Sequence, residues 1–439
     1  MGQTRLLSLD VFRGMTIAGM VLVNNPGTWD AIYPPLEHAE WHGATPTDFI
    51  FPFFLFIVGV AIPIALGKRM EAGITRDVYL KILSRGLSIF FIGLLMAAFP
   101  IFDFSFTGGA AGDSTAAGVP LGFRLVEMLG LIAALYFYLT GKNRESLILL
   151  GAVVVLMMIV YFIGYPLAFT NFGRLRIPGV LQRIAVCYLI TSLLFLHLDW
   201  KKLTLLGIIL LAFYWLIMSI VPVPGCEATT IDSKECNLAA YVDRVVLTLD
   251  HMWKQAKVYD PEGLLSTIPA VVTTISGVLT GLWLKSKRTD WEKVGGMFFF
   301  GLVLIALAWC WNPFFPFNKA LWTSSYVLYT SGLALCFLGC CFFLIDLKGY
   351  KTWAKPFVIF GVNALALFIG SGLMAKMTGQ IKVAGADGKP TSLWGWIFDT
   401  VYAPLAAPKN ASLMMAICFI LLWLFLMWLL YRKKIYIKV

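Results

Sequence analysis

The stretch LEHAEWHGATPTDFIFPFF, residues 36–54, gathers His38, Trp41, His42 and Asp48 just ahead of an apolar run. Imidazole is the side chain that exchanges a proton near neutral pH, so a His close to a carboxylate suits general-base work or nucleophilic group transfer. Asp48 stands where a helix should begin, and it also has the plain reading of a cap on free backbone N–H groups. His42 reads more simply as a loop residue. Four further places put polar side chains where apolar sequence makes them costly. Asn24 ends the first apolar run, Gln182 and Arg183 close the segment RIPGVLQR, Asp260 and Glu262 lie in YDPEGLLSTIP, and Asn318 and Lys319 precede a later run. Acids, amides and cations of this kind, beside Trp41, suit a polar acceptor such as a sugar.

A second, smaller group holds Asp10 and Arg13 in LDVFRG, then Lys81, Ser84 and Arg85. Lys81 and Arg85 are four residues apart and share one helix face. A basic face suits a phosphorylated ligand; the bland alternative is snorkelling of Arg13, Lys81 and Arg85 to lipid headgroups. The signatures of soluble enzymes are missing from the sequence: there is no Walker A loop, HExxH, CxxC or GxSxG. Four scattered His without a facing carboxylate pair make a weak ligand set, so no metal is expected.

The elements that must position these residues are membrane helices. Of 439 residues, 59% are hydrophobic and only 13% charged, and the mean hydropathy is +0.80. Runs long enough for a ~30 Å hydrocarbon core recur along the chain and are continuously apolar, which favours helices over a β-barrel. The expected spans are 9–26, 48–67, 79–100, 119–139, 146–168, 178–197, 202–222, 263–285, 292–311, 320–345, 355–375 and 410–431. The fold class is therefore an all-α polytopic bundle of about 12 helices, in a single domain over 1–439. The first run holds Asp10, Arg13 and Asn24 with no small-residue cleavage site after it, so it reads as a span and not as a removable leader.

The net charge of +11 does not point to nucleic acid. Lys and Arg gather in alternate loops, as at Lys142 and Arg144 or Lys285, Lys287 and Arg288, while 27–47 has none. That bias places both termini in the cytoplasm and the loops 27–47, 101–118, 223–262 and 376–409 outside it. Six of the eight Cys lie in apolar runs and read as inert. Cys226 and Cys236 share the loop 223–262 and suit a disulfide if that loop faces an oxidising compartment.

With these residues in place, the sequence resembles the transmembrane acyltransferase family of heparan-α-glucosaminide N-acetyltransferase and its bacterial relatives. The matching segments are LSLDVFRGMTIAGMVLVN, HAEWHGATPTDFIFPFFLFIVG, RIPGVLQR, VPVPGC, AAYVDRVVL, YDPEGLLSTIPAVV, NKALWTSSYVL, PFVIFGVNAL and LYRKKIYIKV, in order along nearly the whole chain. The resemblance implies acetyl transfer from cytoplasmic acetyl-CoA to the amino group of a terminal glucosamine on the far side of the bilayer. It further implies His38 as the active-site His, Asn24 and Asp48 beside it, and pairing of Cys226 with Cys236. Against the lysosomal relative, no counterpart of its luminal domain and leading helix is expected here, and 101–172 reads as an inserted helix pair. From the residues and the resemblance together, Arg13, Lys81, Ser84 and Arg85 are expected to hold the CoA phosphates. Trp41, Gln182, Arg183, Asp260, Glu262, Asn318 and Lys319 are expected to face the sugar. A homodimer in a bacterial cytoplasmic membrane is the family expectation. Transfer to a hydroxyl of another glycan and secondary transport are the competing functions.

Overall fold

The computed structural model describes residues 6–71, 73–103, 121–165, 168–227, 229–385 and 390–437. The loop 101–118 lies almost wholly outside that set. Helices run α1 (Leu7–Asn24), α2 (Ile50–Glu71), α3 (Arg76–Ala98), α4 (Leu121–Leu139), α5 (Asn143–Phe162), α6 (Val180–His197) and α7 (Trp200–Ile220). They continue with α8 (Leu238–Val246), α9 (Thr267–Lys285), α10 (Asp290–Trp311), α11 (Ser324–Cys341), α12 (Lys355–Val362), α13 (Ala364–Gln380), α14 (Leu393–Ile397) and α15 (Pro408–Arg432). Among the described residues eleven helices are long and apolar enough to cross a membrane, or twelve if the bent pair α12–α13 is one span. Local signals set several starts. Thr289 and Glu292 cap α10 reciprocally through the Thr289 and Glu292 backbone amides, and Asn237 accepts the Ala240 N–H at the start of α8.

One compact unit comprises residues 1–24, 32–94 and 176–364. Lipid tails are as apolar as Leu, so helices there must associate by close packing, which small residues permit. α2 crosses α9 where Gly59 faces Gly277: a Cβ on Gly277 would lie against the Phe56 carbonyl and the Gly59 backbone. α1 crosses α12 in the same way, with a Cβ on Gly14 meeting the Phe357 carbonyl and one on Gly361 meeting that of Asp10. Around these crossings lie two apolar clusters, one holding Phe12, Phe56 and Leu338, the other Tyr188, Trp322 and Tyr326. Outward positions stay apolar, as at Ile208 in α7 and Phe299 in α10, each 61% exposed, which is the surface a lipid-facing helix presents.

The other unit comprises residues 25–31, 95–175 and 365–439. Here α4 and α5 form an antiparallel pair, with Val153 filling the space over Gly130 and the Ser146 hydroxyl donating to the Ala134 carbonyl. Both helices lie within 101–172. Two short ladders accompany the helices: β1 (Phe102–Asp103) with β2 (Ala168–Phe169), and β3 (Lys382–Ala384) with β4 (Pro390–Ser392). Trp423 of α15 covers Gly370 of α13.

The expected span 355–375 is not one continuous helix. Asn363 leaves the helical region at φ −123°, ψ 33°, ending α12 and restarting the chain as α13. Its backbone N–H still bonds the Phe360 carbonyl at 3.2 Å, so the break leaves that donor satisfied. The apolar signal alone conceals such a break, because Asn363 is a single polar residue in GVNALALF.

The glycine crossings give a direct test. Gly277→Val puts a branched side chain against backbone that cannot move aside, a clash costing about 1–3 kcal/mol or more. Thermal unfolding in detergent should show a clear fall in Tm, whereas Gly295→Val, where a Cβ meets nothing within 4 Å, should leave it unchanged. Equal Tm values for the two variants would refute the close-crossing account.

Candidate active site

The site grows from the loop between α1 and α2. Asp48 is 1% exposed, and its two oxygens have different partners. Oδ2 accepts from the Thr45 N–H at 3.0 Å, the Thr45 hydroxyl at 3.1 Å and the Ala39 N–H at 3.1 Å. Oδ1 meets His38 Nδ1 at 2.6 Å and Lys319 Nζ at 3.5 Å. One oxygen thus caps the segment that leads into α2, and the other is left to face His38 and Lys319. The Tyr326 hydroxyl donates to the Asp48 carbonyl and ties the loop to α11.

The His38 side chain is half exposed, so a buried carboxylate orients a ring with one side open. The short Nδ1–Asp48 contact makes Nδ1–H the donor and leaves the lone pair on Nε2. Lys319 Nζ lies 3.0 Å from Nδ1 and 3.3 Å from Nε2. Burial lowers the Lys319 amine from its ordinary value, against the upward pull of Asp48 and Glu262.

A turn ahead of α11 delivers Lys319. Asn318 accepts the Leu321 N–H on its side chain, and Trp322 N–H bonds the Lys319 carbonyl. Trp322 itself has φ +52°, a strained conformation for a bulky residue that persists only when its surroundings over-determine it. The indole N–H donates to Thr273 at 3.1 Å. Phe51 and Tyr326 pack edge-on to the ring, and the Arg183 guanidinium lies 5.2 Å from its centre. Arg183 is buried and donates to the Gly263 carbonyl at 2.9 Å and to Ser266. Gln182, also buried, points its amide oxygen at Gly93 and Gly179.

Asp260 and Glu262 do not stand free. Arg176 donates to both Asp260 oxygens, at 2.9 and 2.6 Å, and to Glu262. Burial opposes the Arg176 charge, but Glu262 and Asp260 outweigh it and hold the guanidinium above its ordinary range. Arg176 opens RIPGVLQR yet escapes a sequence reading, because its partners lie more than 80 residues away. Glu262 therefore pairs with Arg176 instead of capping α9.

Trp41 and His42 clasp a second loop. The Trp41 indole donates to the Ile231 carbonyl at 2.9 Å, and its ring meets Tyr259 edge-on. His42 reaches Asp232 at 2.9 Å and Asn318 at 3.4 Å. Ile231 and Asp232 lie inside the ring closed by the Cys226–Cys236 disulfide. Asn24 is the exposed last residue of α1.

The second group lies elsewhere in the same unit. Arg13 pairs with the largely buried Asp10 at 3.4 Å. Lys81, Ser84 and Arg85 are exposed on a face of α3 shared with Leu80 and Leu83. Ser84 donates to the Lys81 carbonyl, and Arg85 lies 5.2 Å from the Tyr188 ring centre. From Lys81 to Gly93, beside Gln182, α3 climbs about 18 Å at its ordinary rise per residue. Among the described residues no group of three or more potential metal ligands forms.

Comparison with known proteins agrees with the resemblance read from the sequence. Residues 5–108 match the profile of the family described as heparan-alpha-glucosaminide N-acetyltransferase, catalytic. The chain is 27% identical to the human protein named heparan-alpha-glucosaminide N-acetyltransferase and 25% identical to that of Mus musculus, in each case over 99% of this chain. It spans 60% of the length of those relatives.

A buried acid beside the site carries a pH signature. Asp243 in α8 is 2% exposed and accepts the Leu264 N–H at 2.8 Å. Burial, reinforced by the charge of Asp260, pushes its carboxyl up to about 6. An acid raised in the fold contributes its stability fully below the unfolded value of ~3.9 and loses it as pH rises through 6. Asp243→Asn keeps the acceptor and cannot ionise. Thermal unfolding should find it equal to the parent near pH 4 and more stable at pH 8, by about 2–3 kcal/mol. A gain confined to pH 4 would contradict the assignment.

Proposed function

We propose that this chain is a membrane N-acetyltransferase, which moves an acetyl group from acetyl-CoA to the amino group of a terminal glucosamine or related amino sugar. The observation that carries this reading is the His38–Asp48 pair, 2.6 Å apart, inside the residues that match the catalytic family profile. An amine attacks a thioester only when neutral, so a base must take its proton. His38, aimed by Asp48 and open on one side, has the form of that base. The amine then bonds to the acetyl carbon, the carbon–sulfur bond breaks, the sulfur of CoA leaves with the electron pair, and the surplus proton on the nitrogen passes to that sulfur. Asn24 is the proposed donor to the oxyanion formed in between. In a second route, the His38 ring takes the acetyl group first and passes it on.

The acceptor is assigned to the mouth formed by His38, Trp41, Gln182, Arg183, Asn318 and the Arg176–Asp260–Glu262 cluster. Trp41 and His42 bind the disulfide-closed loop. Disulfides persist in oxidising compartments, which supports an extracytoplasmic position for this mouth and cytoplasmic termini. Lys81 and Arg85 are exposed and have no carboxylate partner among the described residues, so with Ser84 they are available to the CoA phosphates, and Arg13, paired with Asp10, is assigned to the same ligand. The lipid-facing helices place the enzyme in a membrane, and a bacterial cytoplasmic membrane is the proposed location.

Purified protein should release free CoA from acetyl-CoA only when an amino sugar is added, and His38→Ala should slow that release about 10²–10⁴-fold. A His38→Ala variant with undiminished rate would sink the assignment. CoA release that needs a hydroxyl and not an amine would transfer the reading to O-acylation. Labelled acetyl on the His38 peptide after incubation with acetyl-CoA alone supports the two-step route, and its absence during turnover supports direct attack.

A further inference from the structure

We propose that Lys319 is a positioning residue for His38, which takes the charge of Asp48 for itself and so keeps the imidazole neutral, with a lone pair ready. The inference rests on the proposed role of His38, but the geometry stands independently. Lys319 Nζ is within 3.0 Å of Nδ1, 3.3 Å of Nε2 and 3.5 Å of Asp48 Oδ1. Two bases therefore share one carboxylate, and if both carried a proton, two cations would sit in contact with a single negative charge. Like charges at this range disfavour the second protonation.

Lys319 is the better placed of the two to remain the cation. An alkylammonium holds its proton far more tightly than an imidazolium, with ordinary values of ~10.4 and ~6.5, so burial can lower Lys319 and still leave it the cation. Its backbone is fixed by the Asn318–Thr323 turn, where the Trp322 N–H and the Asn318 side chain close the bend. The other charges nearby do not release Asp48 from this duty. Glu262 faces Lys319 from the segment before α9, but its carboxylate is engaged by Arg176. Glu37 and Glu40 flank His38 on its own loop; Glu40 is 96% exposed and faces Lys234. Asp232 is held at His42. Asp48 remains the single carboxylate in contact with both bases among the described residues.

The consequence has a definite sign. Without the ammonium, an imidazolium at His38 would have Asp48 to itself, so the ring would hold its proton to higher pH. Diethyl pyrocarbonate reacts with neutral imidazole only, and peptide mass spectrometry resolves the four His of the chain. The full chain in detergent is labelled between pH 5 and 8. His38 in Lys319→Met should need about one pH unit more to reach half its limiting reactivity, a roughly tenfold slower reaction on the acid side. Lys319→Gln should show the same displacement, Lys319→Arg should follow the parent, and His197 should label alike in all. No substrate is used, so this result stands or falls apart from the identity of the acceptor. The acidic limb of kcat/KM for acetyl transfer should move up by the same amount in Lys319→Met. An unmoved His38 labelling profile in both Lys319→Met and Lys319→Gln would overturn the proposal. A raised KM with an unmoved acidic limb would do the same, since it would make Lys319 a sugar contact.

Discussion

Asp48 is a carboxylate withdrawn from water at the end of a membrane helix, and both of its oxygens must be met or the charge is too costly to keep there. The chain meets one oxygen locally, with Thr45 and Ala39, and the other from a distance, with His38 and Lys319. The local half folds the loop and starts α2. The distant half fixes the orientation of the imidazole. Because the same carboxylate serves both, the loop cannot be misplaced without also losing the aim of His38.

The second constraint is the turn before α11. A tryptophan at positive φ is an expensive choice, and it is retained because its ring is held on every side, by Thr273, Phe51, Tyr326 and Arg183. That ring is a keystone between α2, α6, α9 and the turn, and the turn holds Lys319 beside His38. Arg183 accordingly braces the ring that shapes this turn. Arg176 acts in a parallel way, gathering Asp260 and Glu262, which would otherwise repel each other, around one cation.

Beneath this polar mouth, the helices approach one another through glycines, because apolar surface has no preference for protein over lipid. Close backbone contact at Gly59–Gly277 and at Gly14–Phe357 replaces the hydrophobic drive of a soluble core. It makes a stiff frame, on which a site of loops can keep distances near 3 Å. The disulfide-closed loop adds a brace from the outside, through Trp41 and His42.

The sequence by itself determined the spans, since the length and hydrophobicity of a membrane helix are properties of contiguous residues; among the described residues eleven helices and the bent pair stand where the apolar runs lie. It also brought His38, Asp48 and Trp41 into view, because they fall within a few turns of chain. The break at Asn363 escaped it, since one amide in an apolar run does not say whether the backbone continues through it. Only the tertiary structure decided that Lys319, 281 residues from His38, would join it, that Arg176 would claim Asp260 and Glu262, and that Lys81 and Arg85 would face outward beside leucines. Those pairings are set by which helices cross and how closely. That is decided by the packing of glycines and aromatic rings between distant segments, and no local pattern of residues encodes it.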